Sequence, residues 1–386
     1  MSVTTQVKLL ESDSNSLYKT QEIKFTSNKS IFTPTKTIPL DKLNVVYPLN
    51  DNANQLNEIF KRFSAKQIKE DDEYSSKYGK IESFFNRQRN KIKPGTLTFC
   101  FLDFNEPRIP TNDEIEFLTH IAYCNSDITT IPTISQFNNS ENPSISYENY
   151  KKYLENAIES IEQLNRRPIM GIIPKMAPKK IPDLLGFYQD KGINSFAIDL
   201  DGSNPISANM RIFKVLKSLN KMKILDSCYI HGHNVGMRVN KVTDIIPAKD
   251  ILGFGIGLNS LGEKRKEFKP NHAFILFIKT NPLNKFRLFN KKEYSYWKAI
   301  SWDDLEKIYP LDSGIPVVTF KNAIKNADQF NNIQKAFNSE QLAIESHRIK
   351  EVITEDADKT INYINKKKDV DPNDIIVIES GPEKIK

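Results

Sequence analysis

Apolar residues recur along this chain in short runs, each closed by polar or Gly/Pro residues and followed by a stretch whose apolar positions have helical spacing. RPIMGIIPKM (167–176), GINSFAIDLDGS (192–203) and SCYIHGHNVG (227–236) are three such runs, and AKDILGFGIGLNSLG (248–262) comes after them. Strand, loop and helix repeated at this interval predict a parallel sheet covered by helices. Ligands of such sheets gather at the carboxyl ends of the strands. Asp199, Asp201, His231 and His233 fall at those ends.

The same reading extends in both directions. Residues 1–20 are polar and are expected to be flexible, whereas QEIKFTSNKSIFTPTKTIPL (21–40) reads as two short strands around SNKS, running into an extended segment that Pro34 and Pro39 keep out of helix. LNVVYPL (43–49) reads as a first barrel strand, and the charge-rich residues 51–92 as solvated helix. GTLTFCFLDFNEPRIP (95–110) is a strand that leaves the sheet at Asp103. TNDEIEFLTHIAYCN (111–125) is a helix capped by Thr111 or Asn112, SDITTIPTIS (126–135) is a strand, and 146–166 is an amphipathic helix. Helices are also expected over 181–191, 207–221 and 321–366, strands over 251–257, 272–279 and 314–320, and a late strand or extended tail over 370–380. Roughly eight strands interleaved with helices predict an α/β fold, a (β/α)8 TIM-type barrel over residues 21–320, with an N-terminal β-hairpin and a helical C-terminal extension over 321–386.

Composition narrows the function classes. The 386 residues are 39% hydrophobic, enough for a large core, and 55 basic against 48 acidic residues leave a net charge of +7. That excess permits a nucleic-acid partner without requiring one. No apolar run approaches the ~20 residues that span a bilayer, and the polar start lacks a signal-peptide core, so a cytoplasmic protein without a membrane partner is expected. Cys100, Cys124 and Cys228 are widely spaced and sit in apolar surroundings. They read as reduced core residues, and with no Cys/His cluster no structural zinc is expected. An open doubly wound sheet is the alternative fold, but no GxGxxG follows the first strand and no GxxxxGK[ST] occurs, so neither phosphate-cradling loop supports it; no cofactor is expected.

Asp199 and Asp201 are two apart, which on a strand places them on one face, as paired acid/base work or a metal requires; a strand-end Asp also caps turns. His231 and His233 share a face by the same rule and suit a phosphate, with no third ligand assignable for a metal. Asp103 with Asn105, Glu106 and Arg108 reads as a polar network at the sheet's end or as a loop ion-pair cluster. Asp250 precedes a strand. KRKEFKPNH (264–272) and NKFRLFNKKEYSYWK (284–298) interleave basic and aromatic residues, among them Lys264, Arg265, Lys266, Lys285 and Arg287. That combination neutralises phosphates and stacks bases, or else it is an amphipathic edge whose aromatics are core.

KSIFTPTKTIPL is similar to the start of tRNA-guanine transglycosylases, and EPRIPTNDEIEFLTHIAYCNSDITTIP resembles that family's arginine, capped helix and SDI strand. GIIPKMAPKKIPDLLGFYQDKGINSFAIDLDG and CYIHGHNVGMRVNKVTDIIPAKDILGFGIG resemble its base-binding and nucleophile-bearing segments in order and spacing. The resemblance covers about residues 22–262. It implies a barrel exchanging or binding a guanine or 7-deazaguanine-type base, a purine or 7-deazapurine, in tRNA or DNA. Exchange through a covalent intermediate needs a nucleophilic carboxylate and an acid/base group. The strand-end candidates are Asp199 and Asp201, with Asp103 and Asp250 behind them; His231, His233, Gly202, Arg108 and Asn259 are candidates for base or substrate contacts. The family's DSG[GA]FQ and CxCxxC motifs are absent, and Gly255 stands where order alone puts the nucleophile. Two alternatives stay open: a non-catalytic accessory subunit of the same superfamily, in a homo- or hetero-oligomer, and an unrelated barrel enzyme acting on a small phosphorylated or carbonyl substrate.

Overall fold

The computed structural model describes residues 4–26, 29–43, 48–53, 55–73, 75–138, 145–164, 167–237, 245–265, 287–298, 301–324 and 326–386. The chain is a mixed α/β protein with two parallel sheets and a helical C-terminal region. Strands β1 (Gln6–Ser12), β2 (Lys19–Thr26) and β3 (Lys29–Thr33) form an antiparallel sheet. The hairpin read from the sequence is therefore present, and the leading segment expected to be flexible adds β1 along its edge.

The parallel strands come next in the chain. They are β4 (Thr35–Lys36), β5 (Ile38–Pro39), β6 (Leu56–Phe63), β7 (Leu97–Phe104), β8 (Thr129–Thr130), β9 (Thr133–Ile134), β10 (Ile169–Ile173), β11 (Ser195–Asp199), β12 (Tyr229–His233) and, after β13 (Ile245–Pro247), β14 (Ser260–Leu261). One sheet has the order β4-β14-β12-β11-β10-β8 and the other β5-β6-β7-β9, with every pairing parallel. All eight residues of β7 are buried, as are all five of β10, β11 and β12, which is the continuous burial a sheet covered on both faces demands. A small antiparallel sheet joins β13 to β15 (Leu288–Asn290) and β16 (Ser295–Trp297).

Helices α1 (Ala65–Glu73), α2 (Ser75–Arg89), α3 (Asn112–Cys124), α4 (Tyr147–Leu164), α5 (Ile181–Asp190) and α6 (Asn209–Lys221) lie between the strands. α3 starts where its sequence says. Thr111 accepts the Glu114 N–H and the Glu114 carboxylate accepts the Thr111 N–H, a reciprocal capping box. α4 buries Tyr150, Tyr153, Leu154, Ala157, Ile158 and Ile161, one stripe at helical spacing.

Several expectations are corrected. Residues 56–63 are the buried strand β6, not solvated helix, and Leu43, Pro48 and Leu49 lie in no strand, residues 44–47 being outside the described set. The 251–257 stretch is a 3-10 helix, Ile251–Ile256. Its glycines serve close approach: a Cβ on Gly255 would stand 2.6 Å from the Tyr18 ring, and Gly257, at φ 96°, closes the turn. Residues 317–323 are helix rather than strand, residues 372–379 are helix rather than a late strand or extended tail, and the expected strand over 272–279 lies outside the described residues. The helix Ala327–Asp356 is packed against β2, β4, β5 and β15. Cys100 and Cys228 are buried, but Cys124 is exposed on α3. Among the described residues, no helix is long and apolar enough to cross a membrane.

Candidate functional site at the carboxyl ends of the strands

A buried charge cluster occupies the space between the two parallel sheets, and its centre is Glu58 on β6, fully shielded from solvent. Arg265, just beyond β14, donates Nε and Nη2 to Glu58 Oε1 at 2.9 and 2.8 Å, and Nη1 to both oxygens of Asp41 at 2.9 and 2.7 Å. Its main-chain N–H donates to Asn234 Oδ1, and its guanidinium lies over the Phe60 ring at 5.1 Å. Thr37 donates its hydroxyl to Glu58 Oε2 at 2.8 Å. Burial alone would raise the Glu58 pKa, but Arg265, His233, His231 and Lys36 outweigh it and hold it down at about 2. Glu58 is thus held as a carboxylate by the cations around it.

His231 and His233 share one face of β12, as their spacing predicts, and both turn toward Glu58. His231 Nε2 stands 3.9 Å from Oε2 and His233 Nδ1 3.9 Å from Oε1, each beyond hydrogen-bond reach. Ser260 Oγ meets His231 Nδ1 at 2.7 Å. Phe101 stacks on the His231 ring at 5.4 Å and lies 4.1 Å from that of His233. Burial pushes His231 down to about 3, despite the pull of Glu58, and it lowers His233 in the same way. Both rings are neutral at neutral pH, and the aromatic layer fills the interior below the mouth.

Above that layer come the sequence-predicted carboxylates. Asp103 ends β7 and is buried: Thr133 donates to Oδ1 at 2.8 Å, Arg62 Nε to Oδ2 at 2.7 Å, and the Ser135 hydroxyl also donates to Oδ2. Asp199 ends β11 and accepts the Asp201 N–H at 2.9 Å and the Asn234 side-chain amide at 3.2 Å. His233 feels the charges of Glu58, Asp199 and Asp103, which places these groups around one space. Asp201 does not share the face of Asp199. At φ 50° it has left the strand, and it pairs with Lys175 at 3.3 Å. Asp199 thereby caps the turn that carries Asp201.

Other candidates have structural duties. Gly202 is at φ 73° and donates its N–H to the Asn234 carbonyl, interlocking the loops after β11 and β12. A Cβ on Gly236 would stand 2.0 Å from the Gly202 carbonyl oxygen, backbone against backbone. Gly236→Ala is therefore expected to cost roughly 1–3 kcal/mol, read as a lower urea midpoint. Arg108 is held bidentately by Glu114 at 2.7 and 2.6 Å, an ion pair completing the α3 cap. Asn259 is buried at the amino end of β14, where it accepts the Ile230 N–H at 2.7 Å and donates its amide to Gln21. Asp250 is buried, accepts the Tyr296 hydroxyl at 2.5 Å, and burial raises its pKa.

Arg265 is corrected from a surface contact to a buried strut. Lys264 beside it is exposed, Arg287 is half-buried, and Lys266 and Lys285 lie outside the described residues. Arg62, near the carboxyl end of β6, and Lys175 and Lys180, in the segment after β10, keep 38%, 51% and 40% of their side chains in solvent, a basic rim that the sequence had placed elsewhere. Glu58, Asp41 and Phe60 escaped sequence reasoning too; the turn residues flanking LNEIFKRF, Asn50, Asp51, Asn52 and Ser64, were the signal available. Among the described residues, no group of three or more His, Cys, Asp or Glu is placed to hold a metal ion.

No family model matches the sequence, and no curated protein matches it. Among solved structures, a glucosidase from Croceicoccus marinus aligns at 9% identity with a TM-score of 0.39, over 64% of this chain and 64% of the glucosidase. The chain thus spans under two thirds of that enzyme, and a likeness of this degree carries no statement about activity.

Proposed function

We propose that the two parallel sheets are arcs of one closed (β/α)8 barrel of the transglycosylase-like kind. Its mouth, in this reading, binds a guanine or 7-deazaguanine-type base of tRNA or DNA without exchanging it, as an accessory subunit. Closure is supported by the short joins between the sheets. Thr37 alone separates β4 from β5, residues 131 and 132 separate β8 from β9, and Phe99 of β7 bridges Ile128 beside β8. Taking β4 with β5 and β8 with β9 as single bulged strands makes eight in the ring.

One observation supports the binding reading: three of the buried carboxylates at this end, Asp103, Asp41 and Glu58, are committed to fixed donors. Both oxygens of Asp103 and of Asp41 are bound, and Arg265 and Thr37 hold Glu58. Attack on an anomeric carbon needs a carboxylate oxygen free to form a bond, and ion-paired, hydrogen-bonded oxygens are stabilised against it. The rim of Arg62, Lys175, Lys180 and Lys264 supplies the charge that phosphates require.

Purified protein mixed with labelled guanine and either bulk tRNA or duplex DNA tests this. Retention of nucleic acid without incorporation of label is expected. Lys175→Gln and Lys264→Gln are each expected to weaken retention and reduce its salt slope by about one. Incorporation that disappears in Asp103→Asn or Asp199→Asn would instead establish the exchanging enzyme. Absence of retention on both nucleic acids would remove the binding reading.

A further inference from the structure

A second cavity, of about 190 Å3, opens at the amino ends of the strands, opposite the mouth. Its wall is apolar, built from Leu9, Leu17, Leu216 and Leu225, and one cation, Lys19 of β2, lines it beside Ser12. Among the described residues, the Lys19 ammonium makes no hydrogen bond and no ion pair within 4 Å. Burial lowers its pKa, with Asp226 and Cys228 exerting the opposing pull. The two acids of the cavity do not neutralise it directly. Asp13 is engaged by the Ser16 hydroxyl at 2.6 Å and the Asn15 N–H at 2.8 Å, and Asp226 sits on an exposed turn.

A half-buried cation that no carboxylate contacts within 4 Å keeps part of its desolvation cost, which an anion in direct contact offsets. We propose that this cavity binds a small amphipathic carboxylate, with its head group on Lys19 and its apolar body along Leu9, Leu17, Leu216 and Leu225. A single cation suits a monoanion, whereas a phosphate dianion would meet Asp13 and Asp226. The volume is below the roughly 300–1,000 Å3 of sites for drug-sized ligands, so the body is a short chain. The site lies at the other end of the strands from the proposed base-binding mouth and stands or falls without it.

Calorimetric titration of the full chain with butanoate, hexanoate and octanoate tests the assignment, with octanol as the uncharged control. Affinity is expected to rise about fourfold per added methylene until the cavity is full. Lys19→Met, close to isosteric, is expected to weaken octanoate at least tenfold, and Asp226→Asn to tighten it. The opposite signs separate a lost contact from a fold defect. Octanol binding as well as octanoate, indifference to Lys19→Met, or no saturable binding of octanoate at millimolar concentration would each overturn the proposal.

Discussion

Arg265→Met is expected to destabilise the protein by roughly 3–5 kcal/mol, because it leaves Glu58 and Asp41 ionised, buried and without their shared guanidinium. Methionine replaces much of the stem that packs on Phe60, so the loss reports the charge rather than the volume. The measurement is a urea midpoint at unchanged m-value. Adding Glu58→Gln to Arg265→Met is expected to recover part of the loss, since a neutral amide in that position no longer needs a counter-charge, and the double-mutant cycle isolates the coupling. Arg265→Lys is expected to recover little, because an ammonium does not reach two carboxylates as a planar fork does. A cost below about 1 kcal/mol for Arg265→Met would show that the cluster is not a strut.

Acid is expected to unfold the protein through the same cluster. His231 has an ordinary pKa of 6.5 and is held at about 3 by burial, with Glu58 opposing and His233, Lys36 and Arg265 adding to the depression. Between those values the unfolded chain takes a proton that the folded chain refuses, so ν_U exceeds ν_N and stability falls as pH falls. Above pH 6.5 neither state is protonated and the contribution is fully present. Glu58 acts in the same direction at lower pH: its pKa of about 2 against 4.5 stabilises the fold above 4.5, and that is lost as pH falls toward 2. The His231 shift corresponds to roughly 4–5 kcal/mol across its window. His231→Phe, which keeps an aromatic ring against Phe101, is expected to flatten the slope of stability between pH 6.5 and 3. An unchanged slope in urea midpoints across that range would show that His231 is not the group responsible.

Local signals were legible wherever short-range physics decides the structure. The α3 capping box, the amphipathic stripe of α4, the pairing of β2 with β3 and the apolar runs of β7, β10, β11 and β12 follow from hydrogen bonds and burial within about ten residues. The sharing of one face by His231 and His233 follows from the strand period alone. β6 was hidden because its polar residues find partners through space: Glu58 and Arg62 read as solvent-facing until Arg265 and Asp103, distant in sequence, turn out to be those partners. Residues 317–323 and 372–379 carry β-branched runs that favour strand in isolation, yet each is helical where a Pro precedes or opens it.

Charged residues were where sequence reading and structure parted most. A lysine or arginine in a basic run is a surface residue unless the fold brings it a carboxylate, and residue type does not say which. Lys264 went to solvent and Arg265 to the interior because the chain leaving β14 passes between Glu58 and Asp41, which lie 207 and 224 residues before Arg265. The chain by itself determined that parallel strands would carry polar residues at their carboxyl ends. Only the tertiary structure decided which of those residues are already paired, because pairing depends on through-space neighbours that no periodicity encodes.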